Sequence, residues 1–341
     1  MKTKVVKLKF TSPFHLNPAR DSLEKTETVI QSDMLVSALA VSHTKLYGTF
    51  CREFFTGELR VSSLFPFYKD TLYLPVPLFD FWPGKIDRKI RKKLAKIKYL
   101  EACLWEKVIT GERLKADDVH PVGMFGVGAG KAGEIPGLFQ EEEVQRLGKD
   151  PFYFSQVRLN EEGGLFFFFD VSPGIEQQFK ACLRLLGDEG LGSDKTVGKG
   201  LFEIKEETEH EFPHPDNTAS HLMSLSFFIP SEADFKAIDF NNSYYLLQHK
   251  RGWYITYKML SLKKKGIFGF SEGSVFKTKN GHVPTGKQVT LLEKGVMKKI
   301  LEDKGITLDK DPTFDVLRSG FWYGIPIRVP GGNSDSEVDN G

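Results

Sequence analysis

The chain has 341 residues, enough for two domains, and its 40% hydrophobic and 27% charged residues mark it as globular rather than disordered or fibrous. Forty-seven Lys and Arg against forty-five Asp and Glu leave a formal charge of +2, so any attraction to nucleic acid must come from local clusters. No apolar run approaches the roughly 18 residues of a membrane span, the lysine-interrupted start is no signal peptide, and the expectation is a cytoplasmic chain without membrane contact.

Val6, Leu8 and Phe10 alternate with Lys7 and Lys9, predicting an opening strand that Pro13 ends. A helix follows, with Ser32 or Asp33 as its cap and Met34, Leu35, Ala38 and Leu39 on one face. Aromatic residues around Lys69 and Asp70 predict a hairpin over 62–75. Ile86, Ile90, Leu94 and Ile97 predict a helix over 85–98. Residues 111–150, rich in glycine, acid and proline, read as a long insertion with little regular structure. A second hairpin is expected from 152–159 and 165–171.

Ser172-Pro-Gly then starts a helix striped by Ile175, Phe179, Cys182, Leu183 and Leu186 and ending at Gly187. A glycine-rich loop over 187–200 leads to a strand at 201–205, and acidic 206–220 reads as an interdomain linker. Strands at 222–229, 253–262, 266–276 and 321–329, with a helix at 287–304, predict a second α+β unit. Residues 331–341 are polar and acidic, a disordered tail. The expected division is 1–208, 209–330 and that tail.

Gly187–Gly200 carries the densest chemical signal: five glycines in fourteen residues, between an amphipathic helix and a strand. Gly190, Gly192, Gly198 and Gly200 permit positive φ, and successive amides in such a bend form an anion-binding concavity. Lys195 and Lys199 supply charge, Ser193 and Thr196 hydroxyl donors, and a phosphate backbone is the natural guest. A tight connection between two elements uses the same glycines equally well.

Other motifs carry less. The loop lacks the glycine and Ser/Thr positions of a Walker A sequence. Gly128–Gly133 matches GxGxxG, but Pro136 denies it a following helix. His210–His214 matches HExxH, but Pro213 breaks the helix that zinc binding requires. Cys51, Cys103 and Cys182 form no CxxC pair and read as small buried hydrophobes, and neither a metal nor a cofactor is expected.

A run from Lys85 to Lys98 offers a basic helix face, and a second cluster, Lys250-Arg251 with Lys258 and Lys263–Lys265, lies among Trp253, Tyr254, Tyr257 and Phe268. Those aromatics could stack bases, although core packing is their commoner use. No Ser/His/Asp signature exists. His15 is the best isolated general base, and Asp33 or the pair Asp188-Glu189 offers carboxylates, with helix capping and turn roles as alternatives.

Ten stretches, in order, resemble the RAMP superfamily of CRISPR-associated RNA-binding proteins. Within it they resemble the fourth-subunit family of the type III-A (Csm) effector complex. They are Phe14-His-Leu, Ser32–Leu39, Leu64–Phe67, Leu72–Pro75, Lys92–Leu100, Pro151–Tyr153, Gly190–Gly200, Glu272–Phe276, Val316–Gly320 and Ile325-Pro326. Gln31 and Met34 depart from the histidine and threonine usual there.

The resemblance implies an α+β chain of two ferredoxin-like (RRM-like) domains with antiparallel sheets. It implies a non-catalytic subunit that holds the 5′ tag of a guide RNA (crRNA) and bridges the backbone RAMP subunit to the large cyclase/nuclease subunit in antiviral defence. It also implies RNA-binding positions at Phe14, His15, Arg20, Ser32 and Arg251 beside those of the loop. Three other readings compete: a guide-processing endoribonuclease with His15 as base, a backbone subunit cleaving target RNA with Asp33, and a protein-only scaffold.

Overall fold

The computed structural model describes residues 2–16, 28–82, 86–129, 138–146, 152–213, 219–255, 261–306 and 314–330. The N-terminal half runs β1 (Lys2–Phe10), α1 (Ser32–Tyr47), β2 (Leu59–Val61), β3 (Phe65–Tyr68), β4 (Thr71–Pro75), α2 (Arg88–Leu94), β5 (Tyr99–Glu101) and α3 (Ala102–Ile109). It continues through β6 (Val119–Val122), β7 (Phe125–Gly128), β8 (Phe139–Arg146), β9 (Phe152–Leu159), β10 (Gly163–Val171), α4 (Glu176–Glu189) and β11 (Phe202–Glu211). The first sheet has the order β11-β1-β10-β3-β4-β5-β7-β6, with β2 also on β10. Its neighbours are antiparallel except β5 and β7, which run parallel.

Phe166–Phe169 explains the layering. Four consecutive phenylalanines on a strand must point alternately to opposite faces, so a strand like this needs cover on both sides. Phe167 and Phe169 pack with Val6, Leu8, Leu35, Leu39, Phe179 and Leu183 beneath α1 and α4. Phe166 and Phe168 face the other way, onto Met223, Leu225, Tyr323 and Ile325 of the C-terminal half. The two halves thus share one apolar core.

The C-terminal half contains β12 (His221–Ser224), α5 (Glu232–Ala237), β13 (Ile238–Tyr244), β14 (Leu247–Lys250), β15 (Trp253–Ile255), β16 (Ser261–Lys263) and β17 (Ile267–Phe270). After these come β18 (Val275–Thr278), β19 (Val289–Leu292), α6 (Lys294–Asp303), β20 (Val316–Arg318) and β21 (Gly324–Ile327). Its four-stranded sheet runs β13-β18-β12-β21. Helix α5 lies between β12 and β13, and α6 between β18 and β21, as α1 and α4 do in the first half. Asp234 locks this half locally. Its buried carboxylate accepts from the amides of Ser231, Thr285 and Gly286 and from His282 Nε2 at 2.8–3.0 Å. Burial raises its pKa, but those donors prevail and hold it down at about 2.

Several expectations need correction. Strands 152–159 and 163–171 form no hairpin with each other: β9 pairs with β8, and β10 leaves for the centre of the first sheet because its phenylalanines need two covered faces. The 111–150 insertion carries regular structure, the β6–β7 hairpin and β8. Residues 206–211 are no linker. They extend β11, whose glutamates stand opposite the lysines of β1 in the pairs Lys2/Glu211, Lys4/Glu209, Lys7/Glu206 and Lys9/Glu203.

Helix α4 begins at Glu176 rather than at Ser172 and runs past Gly187 to a Gly190 cap. Helix α2 is shorter than 85–98, because only Leu94 of its residues is buried. Helix α6 starts at Lys294, not 287. Cys103 is exposed on α3, unlike Cys51 and Cys182, whose thiols burial pushes up to about 11. The tail 331–341 lies outside the described residues. Among those described, no helix is long and apolar enough to cross a membrane.

Candidate nucleic-acid interface

Three stretches far apart in sequence meet at the glycine-rich loop. Phe14 bridges Val157 of β9, with Phe14 N donating to the Val157 carbonyl at 2.9 Å and Val157 N returning at 2.8 Å. His15 then bridges Ser193, whose amide donates to the His15 carbonyl at 2.8 Å. The Gly200 amide reaches the Pro13 carbonyl at 2.9 Å, and the Leu201 amide reaches Ser12 Oγ at 2.9 Å. The loop is therefore the third partner of a main-chain zipper.

The glycines at its base are there for that closeness. A Cβ on Gly190 would lie 2.2 Å from the Lys199 carbonyl oxygen, one on Gly200 2.1 Å from that of Leu191, and one on Gly192 2.8 Å from that of His15. All three have positive φ. Gly198 differs: its φ is +77°, yet its Cβ position is open. This corrects the picture of a continuous amide cradle, since the amides of Gly190, Gly198 and Gly200 bond to the carbonyls of Leu186, Lys195 and Pro13.

What faces solvent is the tip. Asp194, Thr196, Val197 and Gly198 are exposed, while Ser193 and Lys195 are half-buried. A short 3-10 turn, Lys195–Val197, sits between two left-handed residues, Asp194 and Gly198. Burial lowers the Lys195 pKa below its ordinary range, with Glu189 opposing that shift and Lys45 adding to it. Lys199 turns inward and is buried, its Nζ 3.9 Å from Asp194 Oδ2.

The other expected positions fall in three groups. Phe14 is fully buried in the core and His15 is 1% exposed, its Nδ1 2.7 Å from the Ser155 carbonyl, so neither side chain lies at the surface. Ser32 is buried too: its amide donates to Ser63 Oγ and its own Oγ accepts from the Phe227 amide, both for internal reasons. Arg251 is exposed. Arg20 lies outside the described residues, as do His214 of the HExxH match and Gly130–Gly133 of the GxGxxG match.

Asp33 neither caps α1 nor faces solvent. Its fully buried carboxylate pairs with Lys250 at 2.5 Å and Arg318 at 2.8 Å, and the Lys250 ammonium lies 4.0 Å from the Phe227 ring centroid. Burial alone pushes the Asp33 pKa up, but the two cations outweigh it and hold the pKa below its ordinary value. Beside this pair, Glu272 accepts from Ser63 Oγ and from Gln31 Nε2, whose amide also reaches Gln248 at 2.9 Å. Burial raises the Glu272 pKa.

Sequence reasoning missed this cluster. Its signal lay within the family-like stretches and beside them, since Gln31 and Asp33, Glu272 and Arg318 come from segments that meet only in three dimensions. Among the described residues, no group of three or more His, Cys, Asp or Glu side chains stands close enough to hold a metal.

The chain is similar to known proteins. Residues 217–308 match the family model of the CRISPR Csm4 C-terminal domain. A CRISPR system Cms protein Csm4 of Methanocaldococcus jannaschii is 25% identical over 329 residues, covering 81% of this chain and 86% of that protein. The Csm4 of Mycobacterium tuberculosis is 28% identical over 269 residues, 74% of this chain and 82% of the relative.

Among solved structures, a chain of a Csm3–Csm4 subcomplex superposes with a TM-score of 0.61 at 18% identity, over 96% of this chain and all of that one. A chain of a Csm1–Csm4 cassette bound to pppApA gives 0.58 at 21% identity, over 97% and 100%. The structural likeness establishes the fold; residues 217–308 form a Csm4 C-terminal domain, and the chain is similar to Csm4 proteins of CRISPR systems along most of its length.

Proposed function

We propose that the chain is the non-catalytic guide-RNA-holding subunit of a cytoplasmic Csm-type effector complex, gripping the 5′ tag with the exposed tip of its glycine-rich loop. The observation that carries the reading is the main-chain zipper of Pro13–His15, β9 and the loop, which presents Ser193–Gly198 on a fixed base. A preorganised tip loses little conformational freedom on binding. Lys195, Ser193 and Thr196 then offer one cation and two hydroxyls to phosphate and ribose.

Two ferredoxin-like domains suit this reading, with the boundary moved from 208/209 to after β11, which runs unbroken to Glu211. In each half, the strand order fourth-first-third-second, with a helix after the first strand and another after the third, is the order that the βαββαβ topology produces. Single sheets of this kind stack bases on their helix-free face. Here Phe166 and Phe168 bury that face against the C-terminal half, which leaves RNA contact to loops and edges.

The partners follow from the relatives. Csm4 chains have been seen with Csm3 and with Csm1, and the same role here bridges a backbone RAMP subunit to a large cyclase/nuclease subunit. Burial of His15 and its bond to Ser155 favour holding over cleavage, and the pairing of Asp33 with two cations favours a structural carboxylate over a target-cleaving one.

The test is co-purification with the genomically neighbouring subunits and sequencing of bound RNA, for which a uniform 5′ end is expected. Lys195→Ala should flatten the salt dependence of RNA retention by ~0.7 log units per decade of salt, the share of one single-strand phosphate. Random 5′ ends, or an unchanged slope, would reject the tip as the tag site.

A further inference from the structure

Residues 247–268 read Leu-Gln-His-Lys-Arg-Gly-Trp-Tyr-Ile-Thr-Tyr-Lys-Met-Leu-Ser-Leu-Lys-Lys-Lys-Gly-Ile-Phe, with six Lys or Arg and no carboxylate, in a protein whose total charge is only +2. Their described residues form two short antiparallel pairs in succession, a ribbon interrupted at Arg251-Gly252. Strand β14 pairs with β17 through His249/Phe268 and Lys250/Ile267, and β15 pairs with β16 through Trp253/Lys263.

Alternation gives the ribbon two faces. The inner one holds Gln248 and Lys250, tied to Gln31 and Asp33, together with buried Leu262 and Ile267. The outer one carries Phe268, 59% exposed, and Trp253, 44% exposed; Arg251, Lys263 and, in the connection between β16 and β17, Lys265 are exposed cations next to them in the chain. The expectation that these aromatics fill the core therefore fails for Trp253 and Phe268, while Tyr254 is half-buried and Tyr257 lies outside the described residues.

His249 stacks on Phe268 with ring centroids 4.5 Å apart and planes 19° from parallel. Gly266 makes room for this, since a Cβ there would lie 2.7 Å from His249 Nε2. The stack holds Phe268 in a fixed orientation. Trp253 stands four residues beyond His249, roughly 13 Å along the strand.

We infer that this outer face is a stacking platform for single-stranded nucleic acid, with bases on Phe268 and Trp253 and phosphates on Arg251, Lys263 and Lys265. It rests on the proposed function, that the chain holds RNA, and it places a second stretch of that strand away from the loop tip. Charge decides the occupant: the core of a protein–protein interface is depleted in lysine, whereas rings interleaved with cations, in a segment without a carboxylate of its own, are the composition of a single-strand groove. A duplex keeps its bases stacked on each other and offers the rings nothing.

The test uses the full-length chain and a fluorescently labelled uridine homopolymer RNA, with the thymidine DNA homopolymer and a duplex of the same length as comparisons. Trp253→Ala with Phe268→Ala should weaken single-strand binding about tenfold or more. Arg251→Gln with Lys263→Gln and Lys265→Gln should flatten the salt slope by ~0.7 for each phosphate no longer neutralised. Bound RNA should quench tryptophan fluorescence in the native chain and not in Trp253→Phe, which keeps a stacking ring and so keeps most of the affinity.

Tighter binding of RNA than DNA would identify the guide or its target as the source, and the reverse would identify displaced DNA. If the ribbon variants bind RNA as the native chain does while Lys195→Ala loses it, the platform is refuted and the tag reading stands. Ribbon variants that keep RNA affinity but lose a subunit on co-purification would make the face a protein interface and overturn the inference. A native chain and complex without RNA would end both readings.

Discussion

The Lys250 ammonium lies 2.5 Å from the Asp33 carboxylate, joining β14 to α1 across 217 residues. The pair is enclosed, with relative side-chain exposures of 13% and 0%, and Arg318 closes it from β20. In this position charge serves the junction between the halves.

Breaking the pair should be costly. Asp33→Ala leaves Lys250 and Arg318 uncompensated and should lower stability by about 3–5 kcal/mol, whereas replacing all three by leucine or methionine should cost far less. Denaturant midpoints at constant slope would measure this. Because Asp33 has a lowered pKa when folded, its contribution is present above its ordinary value of 3.8 and fades as pH falls through the lower folded value.

Asp234 gives a second, better-bounded pH effect. Its pKa falls from 3.8 to about 2, a difference that corresponds to about 2 kcal/mol of stability at neutral pH. Asp234→Asn should lose roughly that amount, and the gap from the native chain should close as the solution is taken from pH ~4 to ~2. Thermal unfolding across that range measures it, and a gap independent of pH would show that shape rather than charge is at work.

The loop glycines should divide into two classes. Gly198→Ala meets no neighbour and should cost only what a left-handed backbone costs, about 1–2 kcal/mol. Gly200→Ala overlaps the Leu191 backbone as well and should cost about 3 kcal/mol or more. Equal losses in the two melting curves would contradict the zipper.

Phe168 couples the halves, with its ring 4.8 Å from Phe212 and 6.4 Å from Tyr323 between centroids. Phe168→Ala should therefore cost about 3–5 kcal/mol, and native and variant chains should each unfold in one transition, coincident by fluorescence and circular dichroism. Two separated transitions would show that the shared core does not bind the halves cooperatively.

Local patterns that depend on near neighbours were legible. The alternation in β1, the turn at Lys69, whose φ is +53°, and the apolar stripe of α4 each express one element's own geometry. The motif order was legible as well and matched the family. The glycine signal in 187–200 was visible but ambiguous, because positive φ serves both an anion nest and a close main-chain approach; the structure shows approach at 190, 192 and 200 and an open tip at 198.

The sequence by itself determined an α+β chain with a glycine-rich bend, because periodicity and turn chemistry act over a few residues. Tertiary structure alone decided what each charged or aromatic residue is for. Glu206–Glu211 read as a linker until the lysines of β1 were found opposite, Asp33 as a cap until Lys250 and Arg318 reached it, and Trp253 as core until its strand turned it outward. A side chain's environment is set by partners hundreds of residues away, and the free energy of burying or exposing it is a property of that pairing.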